Sequence, residues 1–315
     1  MTQDRLNGFG PAGAEGRSSH VLARYRHAGV VATGLVHDQW VSEVDVSWTA
    51  ALNLLADGDA DLLLEARQTG RRQPLDAVTL LAPLEPDADV YCVGLNYLEH
   101  QQEAADLVDS IADEPIIFVK SYRAMAAPNA ELVLPRGISC EFDWEVELGV
   151  VIGRDSTGRP GRDAWDLVAG YCVVNDVTAR DLQTRHKQWH LGKNVAGSTP
   201  VGPWVVGRDT LPTPPDVELS LSVDGVEKQR GRSSQLIHSI PALIELLSSV
   251  VSLRSGDIIA TGTPSGVGFK RQPPEFLGDG VVMTAAITGV GSLTNVVRTS
   301  GWALEGETDR TAQLV

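Results

Sequence analysis

Short apolar runs separated by turn residues recur along most of the chain: Val90 to Val93, Pro115 to Val119, Leu148 to Ile152, Tyr171 to Val174, Trp204 to Val206, Leu219 to Val223, Asp257 to Thr261 and Val281 to Ile287. Runs of four to eight residues bounded by Gly, Pro, Asn and Asp predict β-strands. Asp224-Gly225 between Val223 and Val226 predicts a hairpin with a primed turn, because both residues accept positive φ. Helical spacing is rarer. Ser239, then Pro241 and the apolar Leu243, Ile244, Leu246 and Leu247 predict an N-capped helix, and Leu62 to Arg67 and Thr178 to Gln183 read as shorter helical stretches. Strands without βαβ alternation predict a strand-dominated α+β fold, not a doubly wound sheet.

Punctuation between the runs suggests the organisation. Residues 1–20, with Gly8, Gly10, Gly13 and Gly16, carry too little apolar surface to order themselves and read as a tail. A small α/β domain is expected over 21–85, ending at Leu81-Ala82-Pro83-Leu84-Glu85-Pro86, where each proline removes a donor and extends its predecessor. A larger domain follows over 86–300, with a C-terminal tail at 301–315.

Composition and charge narrow the possible partners. The 315 residues are 43% hydrophobic and 21% charged, with no apolar stretch near the ~20 residues of a membrane span. A net charge of −15 opposes nucleic acid and anionic membranes, and an anionic substrate would need a local cation to hold it. Cys92, Cys140 and Cys172 form no CxxC pair and read as reduced, buried thiols; with no signal-peptide core at the start, a cytoplasmic location is expected.

The densest chemistry lies in Asp143-Trp144-Glu145-Val146-Glu147-Leu148. As one strand it places Asp143, Glu145 and Glu147 on one face and Trp144, Val146 and Leu148 on the other. Carboxylates ~6–7 Å apart repel by about 2–3 kcal/mol at an effective dielectric of ~20. A solvated edge strand tolerates such a row. This one runs into the apolar Leu148 to Ile152, where acids need a counter-charge such as a hard divalent cation. Asp176, ending the run Tyr171 to Asn175, is either a third carboxylate ligand or a helix N-cap. An all-carboxylate triad favours Mg²⁺, Mn²⁺ or Ca²⁺ over zinc. His100 and Glu103, three apart, are either a surface pair or a dyad in which the carboxylate raises the basicity of the imidazole so that it deprotonates water. Thr261-Gly262-Thr263-Pro264 reads either as a structural turn or as a close backbone approach to a ligand.

These residues join a longer series: GLNYxxHxxE from Gly94, Ile117-Phe118-Val119-Lys120, DxExEL with VIG, NDVTARDxQ from Asn175, Gln188-Trp189 with Gly192-Lys193, Gly202-Pro203-Trp204, and Thr261 to Gly268. In order and spacing the series resembles the fumarylacetoacetate hydrolase superfamily, its acylpyruvase and hydroxyheptadienedioate isomerase-like branch, from about Val90 to Asn295. The resemblance implies a mixed β-roll, usually a homodimer, and Glu145, Glu147 and Asp176 as ligands of Mg²⁺ or Mn²⁺. It implies His100 and Glu103 as the water-activating dyad, Lys193 as a stabiliser of developing negative charge, and Arg180, Gln183 and Thr263 as substrate contacts. Surface solvation is the alternative for Lys193 and Arg180. The implied activity is hydrolysis of a C–C bond in an acylpyruvate or other β-diketo or α-keto acid through a metal-stabilised enolate. The alternatives are an isomerase or decarboxylase of a ring-opened aromatic catabolite, an oxaloacetate decarboxylase or tautomerase, and a non-catalytic binding protein. One departure stands out. Where the family commonly has Gly-Lys-Ser, then an aromatic and an acid, this chain has Gly192-Lys193-Asn194-Val195-Ala196-Gly197, which puts any particular relative's substrate in doubt.

Overall fold

The computed structural model describes residues 20–103, 114–156 and 163–301; the expected tails lie outside these, apart from His20 and Gly301. Every strand expected beyond Val90 forms, with ends that differ by a few residues. The protein is a strand-dominated α+β fold built on mixed sheets. The larger sheet runs in the order Arg67–Pro74, Trp40–Val44, Val30–His37, Val21–His27, Thr199–Gly207, Val168–Asn175, Val146–Ile152, Ile258–Ala260, Val90–Gly94 and Ile116–Lys120. Most neighbours are antiparallel, but Ile258–Ala260 and Val90–Gly94 are parallel. The N-terminal strands continue this sheet, because Val21 pairs with Val206 and Leu22 with Val205.

A second sheet of five strands, in the order Val226–Arg232, Glu218–Val223, Val282–Ile287, Gly291–Ser300 and Leu132–Pro135, packs against the centre of the first. The alternation of Val146–Ile152 explains how one strand serves both faces. Leu148 and Val150 pack with Leu219, Leu221, Met283 and Leu293 of the second sheet. Val151 joins the opposite core, with Leu52 and Leu55 of the helix Trp48–Asp57. That helix begins at the cap Ser47 and ends at Gly58 with φ 77°, two signals present in the sequence; the helical reading of Leu62 to Arg67 catches only its short neighbour Asp61–Glu65.

Local sequence chemistry decides the other turns. Asp224 and Gly225 take φ 49° and 77°, giving the primed hairpin. Ser239 caps Ile240–Val250 by accepting from Ala242 N. Two expectations need correction. Asp143 to Ile152 is not one strand but two, Phe142–Asp143 and Val146–Ile152. The break arises because side-chain oxygens take the amides a ladder would use: Asp143 Oδ1 accepts from Trp144 N at 2.8 Å and Asn175 Oδ1 from Glu145 N at 3.0 Å. Cys92 and Cys172 are buried as expected, whereas Cys140 is exposed in a surface connection.

Candidate active site

Strand register builds the acidic cluster. Val146 pairs with Asn175, so Glu145 and Asp176 lie opposite each other just past the ladder, where Asp176 N donates to Glu145 O at 2.8 Å. Glu147 lies two residues further along. Glu145, Glu147 and Asp176 are all buried and offer carboxylate oxygens within 4.8 Å of one another. Asp176 is not a helix cap: the helix Arg180–Arg185 starts from Ala179, with no side-chain capping bond.

Like charges directly opposite destabilise a strand pair, and three buried cations offset them here. Lys193 Nζ donates to Glu145 Oε2 at 2.6 Å and to Asp176 Oδ2 at 2.7 Å. Lys120 Nζ donates to Asp176 Oδ1 and, at 3.0 Å, to Val177 O. Arg180 lies 2.9 Å by Nε from Asp143 Oδ2 and 2.7 Å by Nη2 from Glu145 Oε1. Lys193 and Arg180 are each only 2% exposed, so neither is a solvated surface cation.

Glu147 is the exception. It accepts the Gly262 amide at 2.9 Å, yet among the described residues no cation lies within ion-pair distance. Burial, then repulsion from Asp176 and Glu145, pushes its carboxyl well above the ordinary range. Burial would raise Glu145 too, but Lys193 and Arg180, then His100, hold it down at about 2. Burial also opposes the charge on Lys193, but Asp176 and Glu145 raise its ammonium above the usual lysine value. A divalent cation would fit this arrangement. The donors are all hard oxygens, and Glu147, which among the described residues has no cation within ion-pair distance, completes the set.

A narrow cavity of about 20 Å³, roughly one water's space, is lined by His100, Glu145, Glu147, Arg180, Gln183, Lys193 and Thr263, with Val93, Gly94, Leu95, Phe118 and Trp189. Glu103 and Asp176 are not among its lining residues but contact it indirectly: Glu103 Oε2 lies 3.2 Å from His100 Nδ1, and Asp176 holds Lys193. His100 is only 4% exposed, unlike a surface pair. Glu103 also accepts the Gly266 amide at 3.2 Å, and Glu99 accepts from Ser265 Oγ at 3.1 Å, so the helix Leu98–Glu103 is tied to the loop after Thr261.

Gln183 and Thr263 brace the site as well as line it. Gln183 Oε1 accepts from Arg180 Nη1 at 3.0 Å; Thr263 Oγ1 donates to Val146 O at 2.9 Å and accepts from Gln229 Nε2 at 2.8 Å. Sequence reasoning assigned no role to Asn96, Lys120 or Asp143. Asn96 follows Leu95, whose φ of 57° costs about 1–2 kcal/mol, and offsets this by bonding Thr261 O at 2.8 Å and His238 N at 2.7 Å. Its place in Gly94-Leu95-Asn96-Tyr97 was the available signal.

Trp189 meets Phe118 edge-on, with ring centroids 5.6 Å apart. It fits only because Gly94 has no side chain: a Cβ there would come within 2.5 Å of Trp189 Cζ3. Gly94→Ala is expected to push the indole into the cavity and raise KM several-fold, at a stability loss of about 1–3 kcal/mol. An unchanged KM with an unchanged melting curve would show that the indole position is immaterial.

Residues 89–298 match the family model described as fumarylacetoacetate (FAA) hydrolase, C-terminal. The chain belongs to the fumarylacetoacetate hydrolase family. Residues 22–83 match a second model, Rv2993c-like, N-terminal. Among this family's proteins the chain is 40% identical over 224 residues to the oxaloacetate tautomerase YisK of Bacillus subtilis, covering 71% of this chain and 74% of that one. The solved 2-hydroxyhepta-2,4-diene-1,7-dioate isomerase of Mycobacterium marinum superposes with a TM-score of 0.72 at 32% identity, covering 90% of this chain and 100% of that one. The fumarylacetoacetate hydrolase of Exiguobacterium antarcticum gives a TM-score of 0.75, also at 32% identity and the same coverage. The chain is thus a member of an enzyme family acting on small molecules. Among the described residues no helix is long and apolar enough to cross a membrane.

Proposed function

We propose that this protein is a divalent-metal-dependent isomerase of small 2-keto acids, interconverting their keto and enol forms, with oxaloacetate and ring-opened dienoic keto acids as the substrate class. The hydrolase expected first from sequence gives way to this alternative because the relatives named above include a tautomerase and an isomerase. The observation that carries it is Glu147, a buried carboxylate beside Glu145 and Asp176 that has no ion-pair partner among the described residues, in the same cavity as His100. Glu145, Glu147 and Asp176 would hold Mg²⁺ or Mn²⁺, with Ca²⁺ a third possibility. When bound, such an ion supplies Lewis-acid polarisation of adjacent substrate oxygens.

The remaining roles belong to the chain. Lys193 and Arg180 place positive charge at the cavity wall, where a carboxylate and a developing oxyanion would be held. His100, oriented by Glu103, takes the proton from the carbon next to the keto group. That proton is returned at the oxygen, so the reaction is isomerisation with no water consumed. Phe118 and Trp189, which line the same cavity, would keep bulk water from the reacting carbon.

The test follows the enol absorbance of oxaloacetate with Mn²⁺, with EDTA as control, and in D₂O counts deuterium at the exchanging carbon. Metal-dependent loss of enol absorbance with exchange supports the proposal; no effect on any 2-keto acid defeats it. A second reading, C–C hydrolysis of acylpyruvates, is favoured by the buried His100–Glu103 pair, which could equally activate water. Cleavage products from an acylpyruvate would select it. The homodimer implied by the resemblance is checked by light scattering.

Metal binding should also appear in stability. Glu147 has a folded carboxyl above its unfolded value, so its charge costs stability in the apo protein as pH rises above the ordinary carboxylate range. Glu145 works oppositely: held at about 2 against an ordinary 4.5, its pairing stabilises the fold above about pH 4.5 and is lost as pH falls toward 2. Mn²⁺ at ~100 times its Kd is expected to add about 2.7 kcal/mol, raising Tm by ~5 °C, and more at alkaline than at mildly acidic pH. A melting temperature indifferent to Mn²⁺ in both buffers would argue that no ion binds.

A further inference from the structure

Asp176 is gripped by two lysines from different parts of the fold, Lys120 at the end of the strand Ile116–Lys120 and Lys193 at the end of the helix His190–Lys193. Ile116–Lys120 is an edge strand. Its inner side pairs with Val90–Gly94, with Lys120 opposite Val90, and among the described residues its outer side has no strand neighbour. At that outer side, beside Lys120, lies the side-chain amide of Asn194. Asn194 Oδ1 accepts from Ser121 N at 2.6 Å, and Nδ2 donates to Val119 O at 3.1 Å. The bonded groups are the carbonyl before Lys120 and the amide after it, the pair an adjoining strand would satisfy. The same Nδ2 also donates to His190 O at 3.1 Å, in the first turn of the helix that carries Lys193.

We infer that Asn194 is a positioning residue that fixes Lys120 and Lys193 at opposite oxygens of Asp176. One planar amide thereby sets the separation of the two ammonium groups. Lys120 and Lys193 are 0% and 2% exposed, so each would have to leave this position to meet solvent. Asn194 occupies the position at which the chain departs from the Gly-Lys-Ser pattern, and the departure acquires a physical role: an amide can donate to Val119 O and accept from Ser121 N at once, which makes it a substitute strand neighbour. The importance of this clamp for turnover rests on the proposed role of Lys193, but its existence does not.

The test is reductive methylation of the full-length chain by formaldehyde and cyanoborohydride, without added metal, with the rate at each lysine read by peptide mass spectrometry. In the native chain Lys187 should react quickly and Lys120 and Lys193 slowly. Asn194→Ala should speed labelling of Lys120 and Lys193 at least tenfold and leave Lys187 unchanged. Rates at both buried lysines within twofold of native would overturn the inference. Global loosening is controlled by Asn295→Ala, which removes a buried amide bonded to Pro128 O and Ala130 O. If that variant exposes the same two lysines equally, the role assigned to Asn194 is also overturned. Should Asn194→Ala fail to fold, Asn194→Asp is read instead: it keeps the acceptor for Ser121 N, loses the donor to Val119 O, and should give at least a fivefold increase, with native rates again refuting the clamp. No turnover is measured, so failure here and failure of the proposed activity are separate results.

Discussion

Glu147→Gln is expected to make the metal-free protein more stable while sharply lowering metal-dependent activity. Glutamine keeps the shape and an oxygen for the Gly262 amide, but removes a buried charge that Asp176 and Glu145 repel. Removing an unpaired buried charge typically relieves about 1–3 kcal/mol, so Tm without metal should rise by a few degrees. The proposed ion meanwhile loses one of three anionic ligands. Several kcal/mol of transition-state stabilisation depend on that ion, so kcat/KM should fall about 10³-fold. Calorimetry in EDTA and a Mn²⁺-supplemented assay read the two halves. A variant that melts lower than native in EDTA would contradict the account of Glu147 as an uncompensated charge, and full activity would remove it from the ion's ligands.

His100→Ala should lower kcat by about 10²–10⁴, the usual worth of a positioned acid–base group, with KM changing little. His100 lines the cavity without pairing with Glu145 or Glu147, so its loss should leave Mn²⁺-induced stabilisation intact. Glu103→Gln should give a smaller fall, because it leaves the imidazole present but less basic and less firmly oriented. If His100→Ala keeps native kcat on oxaloacetate, proton transfer uses another group, and the His100–Glu103 pair is better explained as a water activator for a hydrolytic substrate.

Much of the fold was legible because its rules are local. Ser239 announced a cap, Asp224-Gly225 a primed turn, and the apolar runs beyond Val90 each became a strand. The site was legible only in part. Glu145, Glu147 and Asp176 were visible as acids entering a core, but single-strand reasoning ran Asp143 on into Glu145 and missed the break. Asn175 Oδ1, 30 residues away, takes the Glu145 amide. Lys120 stood in a recognised segment without a role, because nothing in Ile117-Phe118-Val119 indicates that the next side chain reaches Asp176.

By itself, then, the sequence determined the strand-rich class, the turns and caps, and which residues carry ionisable groups into buried segments, since all of these follow from periodicity and side-chain chemistry within a few residues. Only the tertiary structure decided which charge faces which. Antiparallel register set Glu145 opposite Asp176, and separate elements delivered Lys120, Arg180 and Lys193 to three of the acids while, among the described residues, giving Glu147 no ion pair. Coulomb energies depend on distances between residues far apart in the chain, and those distances exist only once the sheets have packed.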